Sequence, residues 1–478
     1  MKTRRIVAAL LLIFMLPCFI VPASANSAQK HWSGVDSTGA FITGAQGPVV
    51  VEGEKLTFDI SEFPMNYYHD EDSFLQYSGR VTAEYNFFNP SDMTVTATLA
   101  FPFGGCPDYA YDYKSNDTNR YGVKVNGESV NATVRHTFSY PYSEFELEAD
   151  LPRLSDEYIK QGIYSPDTTV TLYKWGVSGV EEGRYPSASI ALDIPKGDYG
   201  RSYYLVDQHG ASLLPDGDLR VSCWVNNKTE APAVYLYVFG EPLKNLPTWK
   251  FYKDGGTEDG KEIGGTASFM GSESMTLIDF ALENYDSQLG VSQLDWYNAV
   301  ICDLTSSEYY FDSRLATPEG YQHNYEGYLM RWYEYEITLA PGDRLVNSVS
   351  APIYPDIDGE YSPSVYGYTY LLSPASTWAD FGRLDIVINT PYYLIDSNLE
   401  GFEKTENGYS LSLDGLPKED GEHTDLSFSL CQEGEPTRSS SGTGLWVLMG
   451  ILMLLFAPIG LLWQGIESVI GWIGSLFS

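Results

Sequence analysis

The feature that most constrains the fold of this chain is the alternation of apolar and polar residues in short runs. In one such run Val81, Ala83, Tyr85 and Phe87 alternate with polar residues. Successive side chains of a β-strand point to opposite faces of a sheet, so this pattern predicts a strand with one buried face. The content of 37 Tyr and 22 Phe favours strands as well. The alternation therefore predicts a mainly β protein.

Turn residues separate these runs. Asn89 to Asp92 follow the first run and a second run begins at Val95, so the two predict a β-hairpin. Asn126-Gly127 favours a tight turn in which both residues have positive φ. Further strands are predicted over 121–125, 130–138, 168–175, 187–194, 219–225, 233–239, 327–339, 344–350, 366–372, 383–389, 408–413 and 425–431.

Two segments show helical spacing, and we predict helices over 274–285 and 292–304. Ser292 is suited to cap the second helix, because its hydroxyl can accept from an amide of the first turn. Asp295 favours the same end, where the peptide dipoles leave a partial positive charge. The apolar stripe of this helix is more typical of core packing than of a binding face.

Together these patterns predict a mainly β chain with one or two β-sandwich domains, a small helical insertion and a C-terminal transmembrane helix. A charged, Gly-rich segment after Pro247 indicates a boundary. The predicted organisation is a signal peptide over 1–25, an N-terminal β-rich domain over 26–246, a loop and helical segment over 247–326, a C-terminal β-rich domain over 327–431, a polar stalk over 432–443, a transmembrane helix over 444–463 and an amphipathic tail over 464–478.

The two ends of the chain indicate export and anchoring. Residues 1–25 combine a basic start, an apolar run and Ala23-Ser24-Ala25, which is the pattern of a cleavable secretory signal. Residues 444–463 carry no charge, and a helix of about 20 residues spans the roughly 30 Å of hydrocarbon in a bilayer. We expect a single-pass protein of the cell membrane with an extracytoplasmic ectodomain, which contacts the lipid bilayer through 444–478. The tail over 464–478 either lies along the membrane surface or pairs with the span.

The formal net charge of −35 restricts the partners. Nucleic acid is excluded as a nonspecific partner, because its phosphates would be repelled. The charge suits an exposed cell surface or a surface that gathers cations. Besides lipid, the expected partners are cell-envelope proteins or glycans.

Four cysteines follow the signal segment, and their spacing supports no metal or redox motif. Export permits two disulfides with three alternative pairings, whereas free buried thiols are the other alternative. These residues are Cys106, Cys223, Cys302 and Cys431.

Two segments resemble a group of secreted or membrane-anchored bacterial β-rich proteins of unknown function. They are NPSDMTVTATLAFPFG, Asn89 to Gly104, and YGYTYLLSPASTWADFGRLDIVINTP, Tyr366 to Pro391. In that group a strand pair around a polar turn ends in Phe-Pro, and a later Tyr-rich strand, a lone Trp and a glycine turn lead into a final hairpin. The resemblance implies an exported β-sandwich, and it indicates no particular activity because the group has no established one. The residues that would occupy those places are Phe101-Pro102, Tyr370, Trp378 and Gly382-Arg383-Leu384.

No catalytic motif stands out in the sequence. The six His are scattered without an H-E-x-x-H pattern, and no G-x-S-x-G occurs. Carboxylates are too abundant to single out a glycosidase pair, since that pair is defined by its separation across a sugar. Whether the protein is an enzyme stays open, and a role without catalysis is favoured.

The best metal candidate is an acidic turn that contains Asp356, Asp358 and Glu360. Oxygen ligands on alternate residues beside a glycine suit a loop that wraps Ca²⁺. A solvated turn without metal is the alternative. No other cofactor is indicated.

These observations favour a non-enzymatic ectodomain for binding or envelope organisation. The alternative is a carbohydrate-active hydrolase or carbohydrate-binding ectodomain that uses acidic and aromatic surface residues, because aromatic faces beside carboxylates hold sugar rings well. Tyrosines in strands also commonly fill a core. The aromatic stretches concerned are 107–113, 140–142 and 361–370.

Overall fold

The computed structural model describes residues 37–38, 41–42, 48–63, 79–104, 121–139, 147–181, 187–226, 232–253, 261–306, 312–318, 320, 328–353, 355–372, 375–376, 378–419 and 422–438. Within them the protein is mainly β, with several antiparallel sheets and short helices, which confirms the predicted class. The predicted signal peptide, span and amphipathic tail lie outside the described residues. None of the helices in the described ranges is both long and apolar enough to cross a bilayer.

The elements follow the chain in three stretches. The first holds β1 (Ser37–Thr38), β2 (Phe41–Ile42), β3 (Val50–Asp59), β4 (Arg80–Phe88), β5 (Val95–Gly104), β6 (Gly122–Val125), β7 (Glu128–Ser129) and β8 (Thr133–Phe138). The second holds α1 (Leu147–Asp150), β9 (Thr169–Ser178), β10 (Ser187–Ile194), β11 (Arg201–Leu205), β12 (Gln208–Leu213), β13 (Leu219–Asn226), β14 (Ala233–Gly240), β15 (Lys250–Tyr252), β16 (Glu262–Ile263), β17 (Thr266–Thr276), α2 (Leu277–Ala281) and α3 (Gln293–Thr305), with single 3-10 turns at Leu151–Arg153, Ser287–Leu289 and Asp312–Arg314. The third holds β18 (Leu329–Leu339), β19 (Arg344–Pro352), β20 (Asp356–Asp358), β21 (Tyr361–Ser362), β22 (Val365–Leu371), β23 (Phe381–Asn389), β24 (Tyr393–Ser397), β25 (Glu403–Lys404), β26 (Gly408–Asp414), β27 (Lys418–Glu419), β28 (Glu422–His423), β29 (Leu426–Cys431) and β30 (Thr437–Arg438).

The first and third stretches build one unit around a shared core. An eight-stranded sheet has the order β25-β26-β23-β3-β4-β19-β6-β7. Opposite it lie the sheet β1-β22-β29-β24, which β20 joins through β22, and the sheet β2-β5-β18-β8. Apolar side chains from all three sheets meet in a single cluster, so the sheets face each other across this core.

Aromatic rings fill much of this core. The ring of Phe58 lies edge-on to Tyr370 (centroids 5.7 Å apart) and to Phe428 (5.1 Å). Trp378 packs against Phe87 with centroids 4.3 Å apart. Each such pair contributes about 0.5–1.5 kcal/mol beyond the burial of its surface. The tyrosines of the 361–370 stretch that reach the core therefore act in packing.

The second stretch forms another unit from two facing sheets, β11-β14-β9-β17 and β12-β13-β10-β15-β16. Trp175 lies in the apolar cluster between them. The helices α2 and α3 cover the other face of the first of these sheets, where Tyr237 contacts Phe280 with ring centroids 5.0 Å apart. Phe138 of β8 and Leu329 of β18 join that helical cluster, so it links the two units.

The predicted hairpin over β4 and β5 is wrong. β4 pairs with β3 and β19, whereas β5 pairs with β2 and β18 in a facing sheet. The buried Asn89 holds the connection, since its Nδ2 donates to the carbonyl oxygens of Met93 (2.7 Å), Leu339 (3.1 Å) and Ala340 (3.2 Å). The two strands do not pair with each other. They lie in facing sheets, and their apolar side chains enter one core from opposite sides.

Several local predictions are confirmed. The turn after β6 has φ of 50° at Asn126 and 83° at Gly127, as a tight primed turn requires. α3 covers the predicted helix, and the Ser292 hydroxyl accepts from the amide of Asp295 (3.0 Å) as its cap. Most predicted strands lie within two residues of observed ones.

The predicted helix over 274–285 begins too early. β17 continues to Thr276, whose partner on β9 is Thr169. α2 then runs only over Leu277–Ala281, and the Thr276 hydroxyl accepts from the amide of Asp279 (3.2 Å). The strand extends over 274–276 because the ladder to β9 satisfies the backbone groups there.

The sheets join segments from both sides of the predicted boundaries at 246/247 and 326/327, and the domain division itself stays a prediction. β3, from the predicted N-terminal domain, pairs in parallel with β23, from the predicted C-terminal one. The segment 247–326, predicted as loop and helices, also supplies the strands β15, β16 and β17. Part of the predicted stalk pairs as well, since β30 joins β21. Strands so far apart in sequence leave no local sequence pattern that would predict their pairing.

The described cysteines are free thiols. Cys223 and Cys431 are buried and Cys302 is half-buried, while Cys106 lies outside the described residues. Burial raises the pKa of Cys223 to about 12 and that of Cys302 to about 11. For these three residues the structure agrees with the free-thiol alternative.

Candidate ligand-binding groove

A groove of about 630 Å³ lies where the loop between α1 and β9 passes the first turn of α3. Pockets of about 300–1,000 Å³ are typical of small-molecule sites. Three carboxylates, one amine and one aromatic ring contribute to the lining. The lining residues are Asp156, Glu157, Tyr158, Lys160, Pro166, Asp167 and Leu294.

Arg135 of β8 fixes the first part of this loop. Its Nη1 donates to Asp156 Oδ1 (2.9 Å), and its Nη2 donates to the carbonyl oxygen of Ser155 (2.8 Å). The same guanidinium donates to Asp295 of α3 from Nε (3.1 Å) and Nη2 (3.0 Å), and to Glu334 of β18 from Nη1 (3.1 Å). One buried cation thus joins two strands, a helix and the groove loop.

Asp295 is the buried counterpart of this cation. It also accepts from the amide of His136 (3.1 Å). Burial alone would lower the pKa of Arg135, but the bonds to Asp295 and the nearby carboxylates raise it. Burial, followed by the charges of Arg331 and Arg135, lowers the pKa of His136 to about 3. Near neutral pH, His136 is therefore uncharged.

Asn298 fixes the next part of the loop. Its Oδ1 accepts from the amide of Ile159 (2.8 Å), and its Nδ2 donates to the carbonyl oxygen of Glu157 (3.0 Å). Asn298 is itself buried. Because both bonds are to backbone groups, they position the loop without engaging the carboxylate of Glu157.

Short-range hydrogen bonds shape the opposite wall. The Ser165 hydroxyl donates to Asp167 Oδ1 (2.5 Å), and the Thr168 hydroxyl donates to the carbonyl oxygen of Ile163 (2.7 Å). The bond from Ser165, followed by a backbone bond and the charge of Lys160, lowers the pKa of Asp167. Asp167 therefore stays ionised at neutral pH.

Tyr158 of the lining contacts a second tyrosine, Tyr297, which is not part of the lining. Tyr158 is 37% exposed, and its ring lies edge-on to Tyr297 of α3 with centroids 5.0 Å apart. Tyr297 is fully buried, and its hydroxyl has no hydrogen-bond partner among the described residues. Burial, followed by the charges of Asp167 and Tyr158, raises the pKa of Tyr297. Its hydroxyl thus lies near two groove residues.

The groove carboxylates do not converge on one point. In the part of the chain that the structure describes, no three His, Cys, Asp or Glu side chains come together closely enough to hold a metal ion. Asp156, Glu157 and Asp167 therefore do not form a three-carboxylate metal site.

The predicted calcium ligands lie in the first unit. Asp356 and Asp358 belong to β20, and Asp358 Oδ1 accepts from the amide of Glu360 (2.9 Å). Glu360 forms an ion pair with Arg438, whose Nε donates to Oε2 (2.9 Å). The carboxylate of Glu360 thus has a cationic partner from the protein, and the calcium site stays a prediction.

A second cavity, of about 390 Å³, lies at the carboxyl ends of the parallel strands β3 and β23. Asp59 and Glu406 line it together with several amide and hydroxyl groups. Asn389 Nδ2 donates to Asp59 Oδ1 (2.8 Å), so two of its polar groups bind each other. The groove beside α3 is the stronger candidate.

The sequence did not single out the groove. Asp156, Glu157 and Tyr158 are consecutive, but short acidic and aromatic runs are frequent in this chain. Leu294 and Tyr297 belong to a helical stripe that predicts core packing. Of the aromatic stretches that suit sugar binding, 107–113 and 140–142 lie outside the described residues.

Comparisons with known proteins assign no family to this chain. No protein-family profile matches it, and no curated protein does. Among solved structures, a candidate nutrient-binding protein from Legionella pneumophila matches with a TM-score of 0.31 and 11% identity, over 83% of this chain and 71% of that chain. A match this distant transfers neither a fold nor a function.

Proposed function

We propose that this protein is a membrane-anchored extracytoplasmic binding protein, whose β-sandwich ectodomain holds a small polar ligand in the groove beside α3. The signal-like residues 1–25 and the uncharged residues 444–463 support the location. The binding role depends on one observation, which is that hydrogen bonds from the buried side chains of Arg135 and Asn298 hold the groove loop in place. Such preorganisation reduces the entropy that a ligand must overcome on binding.

The anchors of this loop come from elements that pack in the core. Arg135 and Asn298 bind the loop backbone at Ser155, Glu157 and Ile159. The groove is thereby supported by β8 and α3 rather than by the loop alone. A site on rigid elements is held more precisely than one on a free loop.

A carbohydrate-active role is the second candidate. The partly exposed ring of Tyr158 beside the carboxylates favours it, because aromatic faces stack on sugars. Hydrolysis also needs a carboxylic acid that keeps its proton near neutral pH. The lowered pKa of Asp167 suits an ionised partner and not that acid. Release of reducing ends from oligosaccharides by the full chain would favour this candidate.

The binding role is tested by ligand-induced stabilisation of the full chain in detergent. The panel contains neutral oligosaccharides, amino acids and amines, and the unfolding temperature is read by fluorescence. A ligand at 100 times its Kd raises the free energy of unfolding by about 2.7 kcal/mol. We expect at least one class in the panel to stabilise the protein.

A bulky substitution tests whether the ligand binds in the groove. Leu294→Trp fills the groove and should abolish the stabilisation. Leu213→Trp makes the same change at an exposed leucine of β12 and should leave it intact. If no compound stabilises the protein, or if Leu294→Trp binds as the wild type does, the proposed function fails.

The proposed location has its own test. A protease added to intact producing cells should cut the ectodomain. Without protease, the ectodomain should stay with the membrane fraction after mild lysis. Protection of the ectodomain in intact cells, or its recovery in the soluble fraction, would contradict the location.

A further inference from the structure

The segment 431–438, which we call the strap, is held to the first unit at both of its ends. It starts where β29 ends, and its last two residues form β30, which pairs with β21. The Thr437 hydroxyl donates to the carbonyl oxygen of Ser362 (3.3 Å), and Arg438 Nε donates to Glu360 Oε2 (2.9 Å). Backbone and side-chain bonds therefore fix the position of Arg438 on this unit.

Only a short connection separates the strap from the predicted membrane span. Residues 439–443 lie between Arg438 and the uncharged run that begins at Gly444. A chain extends by at most about 3.6 Å per residue, so Arg438 lies within about 22 Å of that run. The ten residues of β3 make a strand about 33 Å long. The reach of the connection is shorter than the unit, so only one end of the unit can lie next to a bilayer.

The strap leaves the first unit at one end of the sheet β1-β22-β29-β24. Cys431, the last residue of β29, pairs with Tyr393, the first residue of β24. Tyr361 of β21 pairs with Arg438. A Cβ placed on Gly434 would lie 3.3 Å from Tyr393 Cδ1, so the tyrosine ring packs against the strap. Tyr393 and the strap therefore share the end of the unit that would face the bilayer.

Two exposed side chains at this end suit lipid headgroups. Tyr393 is 47% exposed. Lys404 is exposed as well, and its Nζ lies 5.7 Å from the centre of the Tyr393 ring. A tyrosine favours the membrane interface because its ring is apolar and its hydroxyl is polar. A lysine places its methylene groups on apolar surface and its amine in the polar layer, where phosphates lie.

We propose that the strap holds this end of the first unit against the lipid headgroups, where Tyr393 and Lys404 contact the bilayer. This inference rests on the membrane anchor of the proposed function and adds the orientation of the ectodomain. Asp358 and Glu360 lie at the same end, and Glu360 already pairs with Arg438. Anionic lipid would repel these carboxylates, so the contact depends on the tyrosine and the lysine and needs no anionic lipid.

The test reconstitutes the full chain into vesicles of phosphatidylcholine. The photoreactive residue benzoylphenylalanine replaces Tyr393 or Lys404 in turn, and mass spectrometry measures lipid adducts of the chain after illumination. The same residue in place of Met93 is the control. We expect adducts at Tyr393 and Lys404 and none at Met93. Equal yields at the three positions, or no adduct at Tyr393, would overturn the proposal.

Met93 is a suitable control because it lies at the opposite end of the first unit. The hydroxyl of Tyr392, the neighbour of the test position, donates to the carbonyl oxygen of Ser61 (3.2 Å), just beyond the end of β3. Met93 follows β4, whose last residue Phe88 pairs with Val50 at the start of β3. The two positions are thus separated by the length of β3, about 33 Å. Met93 is also 64% exposed, so its environment does not hinder the reaction.

A second variant tests the role of the short connection. An insertion of about 20 Gly and Ser residues after Gly442 adds up to about 70 Å of reach. We expect the adducts at Tyr393 to decrease while the chain stays in the vesicles, because the effective concentration of lipid at this end falls as the tether lengthens. Undiminished adducts would show that the strap does not set the orientation, and the proposal would be wrong.

Two outcomes separate this inference from the proposed location. If the chain is soluble and stays out of the vesicles, the membrane anchor fails, and the orientation fails with it. If the chain is recovered with the vesicles but gives adducts at Met93 and not at Tyr393, the anchor stands and the orientation is wrong.

Discussion

Glu54 is a carboxyl group buried in the core of the first unit. Neither of its oxygens has a well-aligned hydrogen bond with a described residue, although the Tyr85 hydroxyl lies close enough to act on its charge. Burial raises the pKa of Glu54 to about 8, and Tyr85 only partly opposes this. At neutral pH most of the folded protein therefore carries a protonated Glu54, which removes the cost of a buried charge.

This raised pKa makes stability depend on pH. Between the ordinary pKa of 4.5 and about 8, folded Glu54 keeps a proton that the unfolded chain has released. The free energy of unfolding should therefore fall as pH rises through this range, by about 3 kcal/mol at pH 7. Glu54→Gln, which is neutral at every pH, should lose this part of the decline in urea unfolding. The control Glu84→Gln, at an exposed position of β4, should keep the full decline in stability with pH. Identical pH profiles for Glu54→Gln and the wild type would refute the prediction.

The ion pair of Arg135 and Asp295 gives a second prediction at the residue scale. Asp295 is buried, whereas the side chain of Asp156, on the same guanidinium, is 88% exposed. Asp295→Ala should lower the free energy of unfolding by about 3–5 kcal/mol, since it leaves a buried charge poorly compensated. Asp156→Asn should change it by at most about 1 kcal/mol. Chemical denaturation measures both, and similar values for the two variants would count against a structural role for the buried pair.

At the scale of elements, the parallel contact of β3 and β23 requires a glycine. A Cβ placed on Gly382 would lie 2.3 Å from the carbonyl oxygen of Glu52, which is backbone and cannot move away cheaply. Gly382→Ala should therefore force the strands apart and destabilise the protein by about 1–3 kcal/mol. Gly200→Ala is the control, because a Cβ on Gly200 would meet no atom within 4 Å and φ there is not in the left-handed region. Equal unfolding midpoints for Gly382→Ala and Gly200→Ala would disprove the close approach.

The elements also show which local signals sufficed. The Asn126-Gly127 turn and the Ser292 cap depend on residues that are adjacent in sequence, so both were predictable. The link from β4 to β5 was not, because a polar turn between two alternating runs fits a hairpin and a crossing between sheets equally well. The crossing is stabilised by Asn89, which donates hydrogen bonds to the carbonyl oxygens of Leu339 and Ala340, about 250 residues away in sequence.

At the scale of the whole molecule, the first unit needs both ends of the described chain. β3 and β4 lie in one sheet with β19 and β23. A fragment of residues 26–246 keeps the pairing of β3 with β4, but it leaves their other edges without β23 and β19 and exposes the apolar faces of the first unit. We expect it to lack a cooperative thermal transition by circular dichroism, unlike the full chain. A cooperative transition of the fragment would support the predicted N-terminal domain instead.

The groove also belongs to this scale. Its loop comes from the second stretch, its anchor Arg135 from β8, and its floor from α3. The sequence marks Asp295 only as an acidic residue that suits the start of a helix, and it marks the apolar stripe of α3 only as core packing. Nothing local distinguishes Tyr158 from the other tyrosines of the chain.

The sequence by itself determined the mainly β class, most strand positions, the second helix and its cap, because alternation, turn chemistry and capping act between near neighbours. It also predicts export and anchoring from residues 1–25 and 444–463, which lie outside the described structure. Only the tertiary structure decided which strands pair, where the chain crosses between sheets, and that a buried arginine holds an acidic groove. Those features depend on contacts between distant segments, whose free energy leaves no periodic mark in the sequence.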